Sequence, residues 1–197
     1  MSRFVLKDTY FKKAKQDGYR ARSAYKLKEI QTRFRLIKKG DRVLDLGCAP
    51  GSFLQVLSGI VGPGGYVVGI DVLPTQPLPF RNVVALTCNI LDPGLGELLA
   101  SHAPHGFDAV TCDISPNLSG IKEVDDKNIR DVYDAVRQVV AANLKKEGGF
   151  AMKSFFSENL KGIQDDLKGM FKAVSIFKPV ASRSVSSEIY LVCTGKK

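Results

Sequence analysis

The chain has 197 residues, 44% hydrophobic and 25% charged, with a formal net charge of +9, a composition that suits a folded globular protein and excludes a disordered one. Its length fits one domain burying roughly 70% of the surface an unfolded chain would expose. The opening MSRFVLKDTYFKKAK is too charged for a secretory signal, and no apolar run approaches the roughly 18 residues of a membrane span. A cytoplasmic protein with no membrane partner is the expectation.

Residues 1–20 show no clean apolar period and read as most of a basic N-terminal arm, residues 1–22, with one short helix. Over residues 1–39, thirteen Lys or Arg stand against three acids, so all the excess charge lies in this first fifth. The block is interleaved with Phe4, Tyr10, Phe11, Tyr19, Tyr25 and Phe34, which suits a polyanion with stackable bases. A solvated arm that only aids solubility is the plainer alternative. From Ser23, a candidate N-cap, the run AYKLKEIQTRFRLI puts Ala24, Leu27, Ile30 and Phe34 on one helical face. Lys26 lies off that stripe, and nothing local sets it apart from a solvated lysine.

The stretch VLDLGCAPGSF, Val43 to Phe53, reads as a buried strand with Asp45 at its carboxyl end, then a tight turn from Gly47 to Gly51 that opens a helix. Small residues let backbone approach a ligand, and free amides at the helix start can donate to it. Ala49 stands where dinucleotide binders carry their second glycine, and Pro50 stiffens the turn. Taken alone, the motif fits a nucleotide-type site and a plain strand–helix junction equally well. The helix from Phe53 to Ile60 stops near Gly62 and Gly64. The strand Gly65 to Ile70 ends in Asp71, at the separation where an acid accepts from ribose hydroxyls. S-adenosylmethionine suits the turn better than NAD: it needs no pyrophosphate cradle, and its ammonium group favours a nearby carboxylate such as Asp45. A nucleotide-dependent oxidoreductase is a distant alternative.

A proline-rich link from Pro74 to Pro79 leads to a strand from Val83 to Cys88, with Asn89 just beyond. A short helix from Leu95 to Ala100 precedes the strand Phe107 to Cys112, which ends in Asp113 and ISPNLSG. Asp45, Asp71, Asn89 and Asp113 thus end four successive strands, where open α/β sheets bind ligands. The charged stretch Gly120 to Asn128 is expected as a mobile loop. Ile129, Val132, Tyr133, Val136, Val139, Val140 and Leu144 form a core stripe of one long helix, ended by Gly148 and Gly149. The strand Phe150 to Phe156 carries Lys153 between apolar neighbours, which is costly unless the lysine is paired or lines a cleft. A helix from Glu158 to Met170 and strands Ala173 to Phe177 and Glu188 to Cys193 complete the chain. The last two strands leave no room for a crossover helix and should pair antiparallel. The KPVASRSVSS between them suits phosphate contacts. Cys48, Cys88, Cys112 and Cys193 lie in or beside apolar runs without C-x-x-C spacing and read as thiols in a reducing compartment.

With RSAYKL, DLGCAPGSF, IDVLP, CDISPNLSG, AMKSFF and KPVASRSVSSEIYLVCTG in this order, the chain resembles the RrmJ/FtsJ-type ribose 2′-O-methyltransferases over nearly its whole length. The resemblance implies a single α/β domain over residues 1–197 with the Rossmann-like S-adenosylmethionine-dependent methyltransferase fold. That fold is a seven-stranded, mostly parallel sheet with an antiparallel last strand and helices on both faces. It implies a catalytic tetrad of Lys26, Asp113, Lys153 and Glu188, with Lys153 as proton acceptor. Cofactor positions carry over to Gly51, Phe53, Asp71, Asn89 and Asp113, with no metal. Phe53 stands for a common Trp, and Asn89 for an acid near the adenine, where an amide can both donate and accept. The implied substrate is a uridine 2′-hydroxyl in large-subunit ribosomal RNA, and the implied partner that RNA or the large ribosomal subunit, met by a monomer. A tRNA anticodon-loop 2′-O-methyltransferase is the same-class alternative, and a noncatalytic RNA-binding ribosome-assembly factor the different-class one.

The chemistry also follows without the family. A ribose hydroxyl is a poor nucleophile, so displacement on a sulfonium methyl needs alignment and a proton acceptor. A free lysine holds its proton at neutral pH. Burial and neighbouring positive charge favour its release, and adjacent carboxylates oppose it.

Overall fold

The computed structural model describes residues 5–116, 119–182 and 186–197. Seven strands form one sheet: β1 (Arg42–Leu46), β2 (Tyr66–Asp71), β3 (Val83–Thr87), β4 (Phe107–Cys112), β5 (Leu144–Phe155), β6 (Phe171–Phe177) and β7 (Glu188–Lys196). Their spatial order is β3-β2-β1-β4-β5-β7-β6. The pairs β1–β2, β2–β3, β1–β4 and β4–β5 are parallel, and β7 runs antiparallel between β5 and β6. Chain direction across the sheet reverses between β1 and β4, so a crevice opens at their carboxyl ends.

The central strands are buried on both faces while the edge strands β3 and β6 are partly exposed, and the two-residue period divides the core. Val43, Val67, Ala109, Ala151 and Val192 pack on one side under α2 (Ser23–Phe34) and α3 (Ser52–Val61). Leu44, Val68, Val110 and Met152 pack on the other under α4 (Leu95–His102), α5 (Lys122–Asn143) and α6 (Leu160–Met170). Each fully buried Leu on these helices, such as Leu27, Leu57 or Leu99, contributes about 1.5–3 kcal/mol of transfer free energy. An N-terminal helix, α1 (Val5–Gln16), precedes this layer. Ala14 and Tyr10 of α1 pack with Tyr19 against Tyr25 of α2 and Ala181.

Four local expectations are corrected. Ser23 is the first residue of α2 rather than its N-cap; Arg22 holds that position without a side-chain cap, and the Ser23 hydroxyl meets that of Ser52 at 2.7 Å. Most of the stretch expected as a loop over Gly120 to Asn128 is the first two turns of α5. Its charges stabilise those turns: Asp125 accepts from the Ser119 and Gly120 amides, and Lys127 pairs with Asp131 one turn on. Leu144 belongs to β5, opposite Phe107, and not to the preceding helix. The Gly148–Gly149 pair lies inside that strand, where a Cβ at Gly149 would come 2.6 Å from the Leu36 side chain. Asn117, Leu118, Arg183, Ser184 and Val185, within ISPNLSG and KPVASRSVSS, lie outside the described residues.

Candidate active site

The sheet register brings three of the four tetrad residues together. Cys112 of β4 faces Met152 of β5, so Asp113 follows β4 beside Lys153. Lys153 faces Tyr190 of β7, and Phe155 faces Glu188, so Glu188 and Tyr190 share one face of their strand. Lys26 completes the group from α2. Its Nζ stands 2.6 Å from Glu188 Oε1, and Lys153 Nζ stands 3.3 Å from Asp113 Oδ1 and donates to the Asp113 carbonyl at 2.6 Å. Both lysines are only 9% exposed. Lys26 is therefore no solvated lysine: the turn of helix that buries Ala24, Leu27 and Ile30 also carries it against β7.

The supporting hydrogen bonds come from residues that the sequence did not single out. Tyr190 is fully buried and donates its hydroxyl to Asp113 Oδ1. Burial, then the charge and hydrogen bond of Asp113, pushes the tyrosine hydroxyl far above its ordinary range, so Tyr190 remains a donor. Ser182 donates to Glu188 Oε1 at 2.8 Å. Burial would raise Glu188, but the hydrogen bond and charge of Lys26, with help from Ser182 and Lys153, outweigh it and hold the carboxyl below its usual value. The available signal for Tyr190 was its position in EIYLV two residues after Glu188, hence on the same face. Nothing in the sequence marked Ser182 beyond a hydroxyl-rich neighbourhood.

The turn after β1 forms the adjoining half of the crevice. Gly47 adopts φ 77°, and a Cβ there would come 2.7 Å from the Ile114 backbone nitrogen. Gly51, at φ 106°, starts α3, where a Cβ would meet Arg20 at 3.0 Å and Thr75 at 3.1 Å. A side chain at either position would be strained by the positive φ and would press on these neighbours, so glycine is what lets the turn close this tightly. Asp71 ends β2, and its two carboxylate oxygens accept from the Ala49 and Leu73 amides at 2.8 and 2.9 Å. Each oxygen keeps a further lone pair, so Asp71 is held in place and can still accept from a diol. Asn89 is exposed just past β3, and its side-chain oxygen accepts from the Leu91 amide at 3.0 Å. Phe53 is 3% exposed and packs in the core beneath α3, so little of its ring reaches the crevice. Asp45 is sealed at 0% exposure. Thr111 donates to its Oδ1 at 2.6 Å, and Oδ2 is buried with no partner. Burial, with Asp113 and Asp71 adding repulsion against the opposing Thr111 bond, pushes its carboxyl well above the usual range. Asp45 thus lies under the turn rather than on its surface.

Arg20 was also missed. Its guanidinium donates to the carbonyls of Pro50 (2.8 Å), Gln76 (2.7 Å) and Pro77 (2.6 Å), tying the glycine turn to the proline-rich link. Gln55 of α3 fixes this segment by accepting from the Arg20 amide and donating to the Gly18 carbonyl, both at 2.8 Å.

The glycine turn and the fixed acceptor at Asp71, next to the lysine–carboxylate cluster, fit an adenosyl cofactor. The sequence pattern of the FtsJ-like methyltransferases matches residues 19–196. Proteins named ribosomal RNA large subunit methyltransferase E are similar along nearly the whole chain. The one from Myxococcus xanthus is 38% identical, covering 94% of this chain and 87% of its own length. The one from Syntrophobacter fumaroxidans is 38% identical, covering 96% and 95%. Among solved structures, a Plasmodium falciparum protein described as a ribosomal RNA methyltransferase superposes with a TM-score of 0.82 at 27% identity, covering 90% of this chain and 98% of its own. Aeropyrum pernix fibrillarin with natively bound S-adenosyl-L-methionine shares the fold at a TM-score of 0.58 and 18% identity, covering 87% and 73%.

Proposed function

This chain belongs to the FtsJ-like methyltransferase family, and from that premise we propose that it methylates the ribose 2′-hydroxyl of a uridine in large-subunit ribosomal RNA, using S-adenosylmethionine. The observation that carries this reading is the pair of lysine–carboxylate contacts, Lys26–Glu188 and Lys153–Asp113, at the end of a glycine-lined crevice. The names of the relatives support the ribosomal substrate. All four tetrad residues come from one chain, so a monomer suffices. Among the described residues no helix is long and apolar enough to cross a membrane, and the proposed place of action is the cytoplasm, with the RNA or the large subunit as partner.

When bound, S-adenosylmethionine supplies an electrophilic methyl group on a sulfonium. Gly51, Asp71, Asn89 and Asp113 are the residues proposed to hold it, with Phe53 supporting the turn from below. Lys153, in its amine form, accepts the 2′-hydroxyl proton at Nζ as the oxygen takes the methyl. Asp113 fixes that nitrogen through both its carboxylate and its carbonyl, and Tyr190 fixes Asp113. Glu188 and Ser182 hold Lys26 beside the same space. General-base catalysis of this kind is worth about 10² to 10⁴ in rate.

The test is to incubate the protein with radiolabelled S-adenosylmethionine and, separately, large-subunit RNA, large subunits and bulk tRNA. A 2′-O-methyl group blocks alkaline cleavage of the following linkage, so labelled alkali-resistant dinucleotides report the position. Label in a uridine-containing dinucleotide from large-subunit RNA is the expected result. Label in tRNA alone would move the substrate to the anticodon loop, and no transfer to any RNA would reject the enzymatic reading.

A further inference from the structure

Outside the tetrad, the faces of α1 and α2 enclose an open groove of about 520 Å³ that also touches Phe177 of β6. Three cations line it, and each is parked on aromatic rings. Lys13 Nζ lies 5.2 Å from the centre of Tyr25, and Lys28 Nζ lies 4.9 Å from Tyr19 and 5.7 Å from Tyr25. The Arg33 guanidinium lies 5.7 Å from Phe34 and 5.8 Å from Phe177. The tyrosines themselves form one cluster, with Tyr10 tilted against Tyr25 at 5.4 Å and Tyr19 edge-on to it at 5.8 Å. None of the three cations has a carboxylate partner among the described residues. The two acids of the groove are otherwise engaged: Asp17 accepts from the Tyr25 hydroxyl at 2.8 Å, and Glu29 accepts from the Val180 and Ala181 amides.

This arrangement differs from a solvated basic face. A ring holds a lysine or arginine in place without neutralising it, whereas a carboxylate would cancel its charge. The groove therefore offers three restrained cations to an anion from solution, beside two carboxylates whose oxygens are turned to the Tyr25 hydroxyl and to the 180 and 181 amides. It is also wired to the catalytic end. Glu29 holds residues 180 and 181, the next residue, Ser182, donates to Glu188, and Lys26 lies next to Tyr25 on α2.

We propose that this groove is a phosphate-binding subsite for the single-stranded RNA that flanks the target ribose, with Lys13, Lys28 and Arg33 contacting successive phosphates. The inference rests on RNA being the substrate. It adds that the strand runs from the tetrad over the 180–182 segment and between α1 and α2. A single strand is the occupant, because the cations sit in a cleft rather than along a ridge and are interleaved with aromatic side chains, a combination that suits a backbone carrying unpaired bases.

The experiment compares the full chain with the triple variant Lys13→Gln/Lys28→Gln/Arg33→Gln, reading RNA affinity against salt, KM for RNA and cofactor affinity. Three lost phosphate contacts on a single strand should lower the slope of log K against log salt by about 2. RNA KM should rise at least tenfold and cofactor affinity should hold. An unchanged slope and KM in a variant that melts cooperatively would overturn the subsite. A second measurement needs no variant: methylphosphonates placed one at a time along the RNA should weaken wild-type binding at two or three adjacent linkages on one side of the target. Uniform losses, or none, would overturn it. So would equal competition by polyglutamate of matched charge, which would make the groove a general polyanion site. Failure of methyl transfer with an intact salt effect would instead reject the catalytic reading and leave the groove standing.

Discussion

Glu188 is partly buried and yet ionised, because Lys26 and Ser182 donate to the oxygen that burial would otherwise protonate. Its folded pKa is lowered, so the stability it contributes is present above the unfolded value near 4.3 and is lost as pH falls through the lower folded value. Glu188→Gln should therefore flatten the acid limb of the stability curve. It should also cost about 3–5 kcal/mol near neutrality, since Lys26 is left buried without its counter-charge. Urea melts taken from neutrality into the acid range check both effects; equal acid limbs would place the linkage elsewhere. Tyr190→Phe removes the donor to Asp113 and should destabilise by about 1–3 kcal/mol, slowing methyl transfer because Lys153 loses a fixed partner. Denaturant melts with single-turnover rates on the same samples would show it, and a variant as stable and fast as the parent would contradict the role given to Tyr190.

Among the elements, the segment before α2 does most to join the two halves of the crevice. Arg20 satisfies three carbonyls from two cofactor-side loops, so Arg20→Ala should free the proline-rich link and weaken S-adenosylmethionine binding by about tenfold, the loss of roughly one charge-assisted hydrogen bond net of rehydration. Calorimetric titration of the cofactor measures this; an unchanged dissociation constant would show that the link needs no clamp. Arg20 was illegible in the sequence, where it is one cation in a basic block, because its partners are carbonyls 30 to 57 residues away. The loop expected over Gly120 to Asn128 failed for a different reason. Polarity there reflects the solvent-facing start of α5, and the Asp125 bonds that begin the helix are local and carry no apolar period.

At the scale of the molecule, the strand ends were the most legible feature. The apolar runs of β1, β2 and β4 and the acids at or near their ends, Asp45, Asp71 and Asp113, could be read directly, because buried parallel strands are continuous apolar runs. The place of β7 between β5 and β6 could be read only as antiparallel pairing of the last two strands; the insertion follows from the β5–β7 register, which no local pattern encodes. Lys153 could be singled out because a charge in a buried strand is anomalous. Lys26 could not, since the partner that sets it apart, Glu188, lies on β7 at the far end of the chain. The sheet order sets the proposed base, on β5 next to β7, beside the crevice between β1 and β4 that is proposed to receive the cofactor. The most direct measurement is single-turnover methyl transfer by Lys153→Arg at saturating RNA and cofactor, with melting curves confirming the fold. Arginine keeps the positive charge but cannot give up its proton in this range. The rate should fall by at least about 10² while cofactor affinity holds. A near-parental rate in the folded variant would make Lys153 a positioning charge and place the base elsewhere.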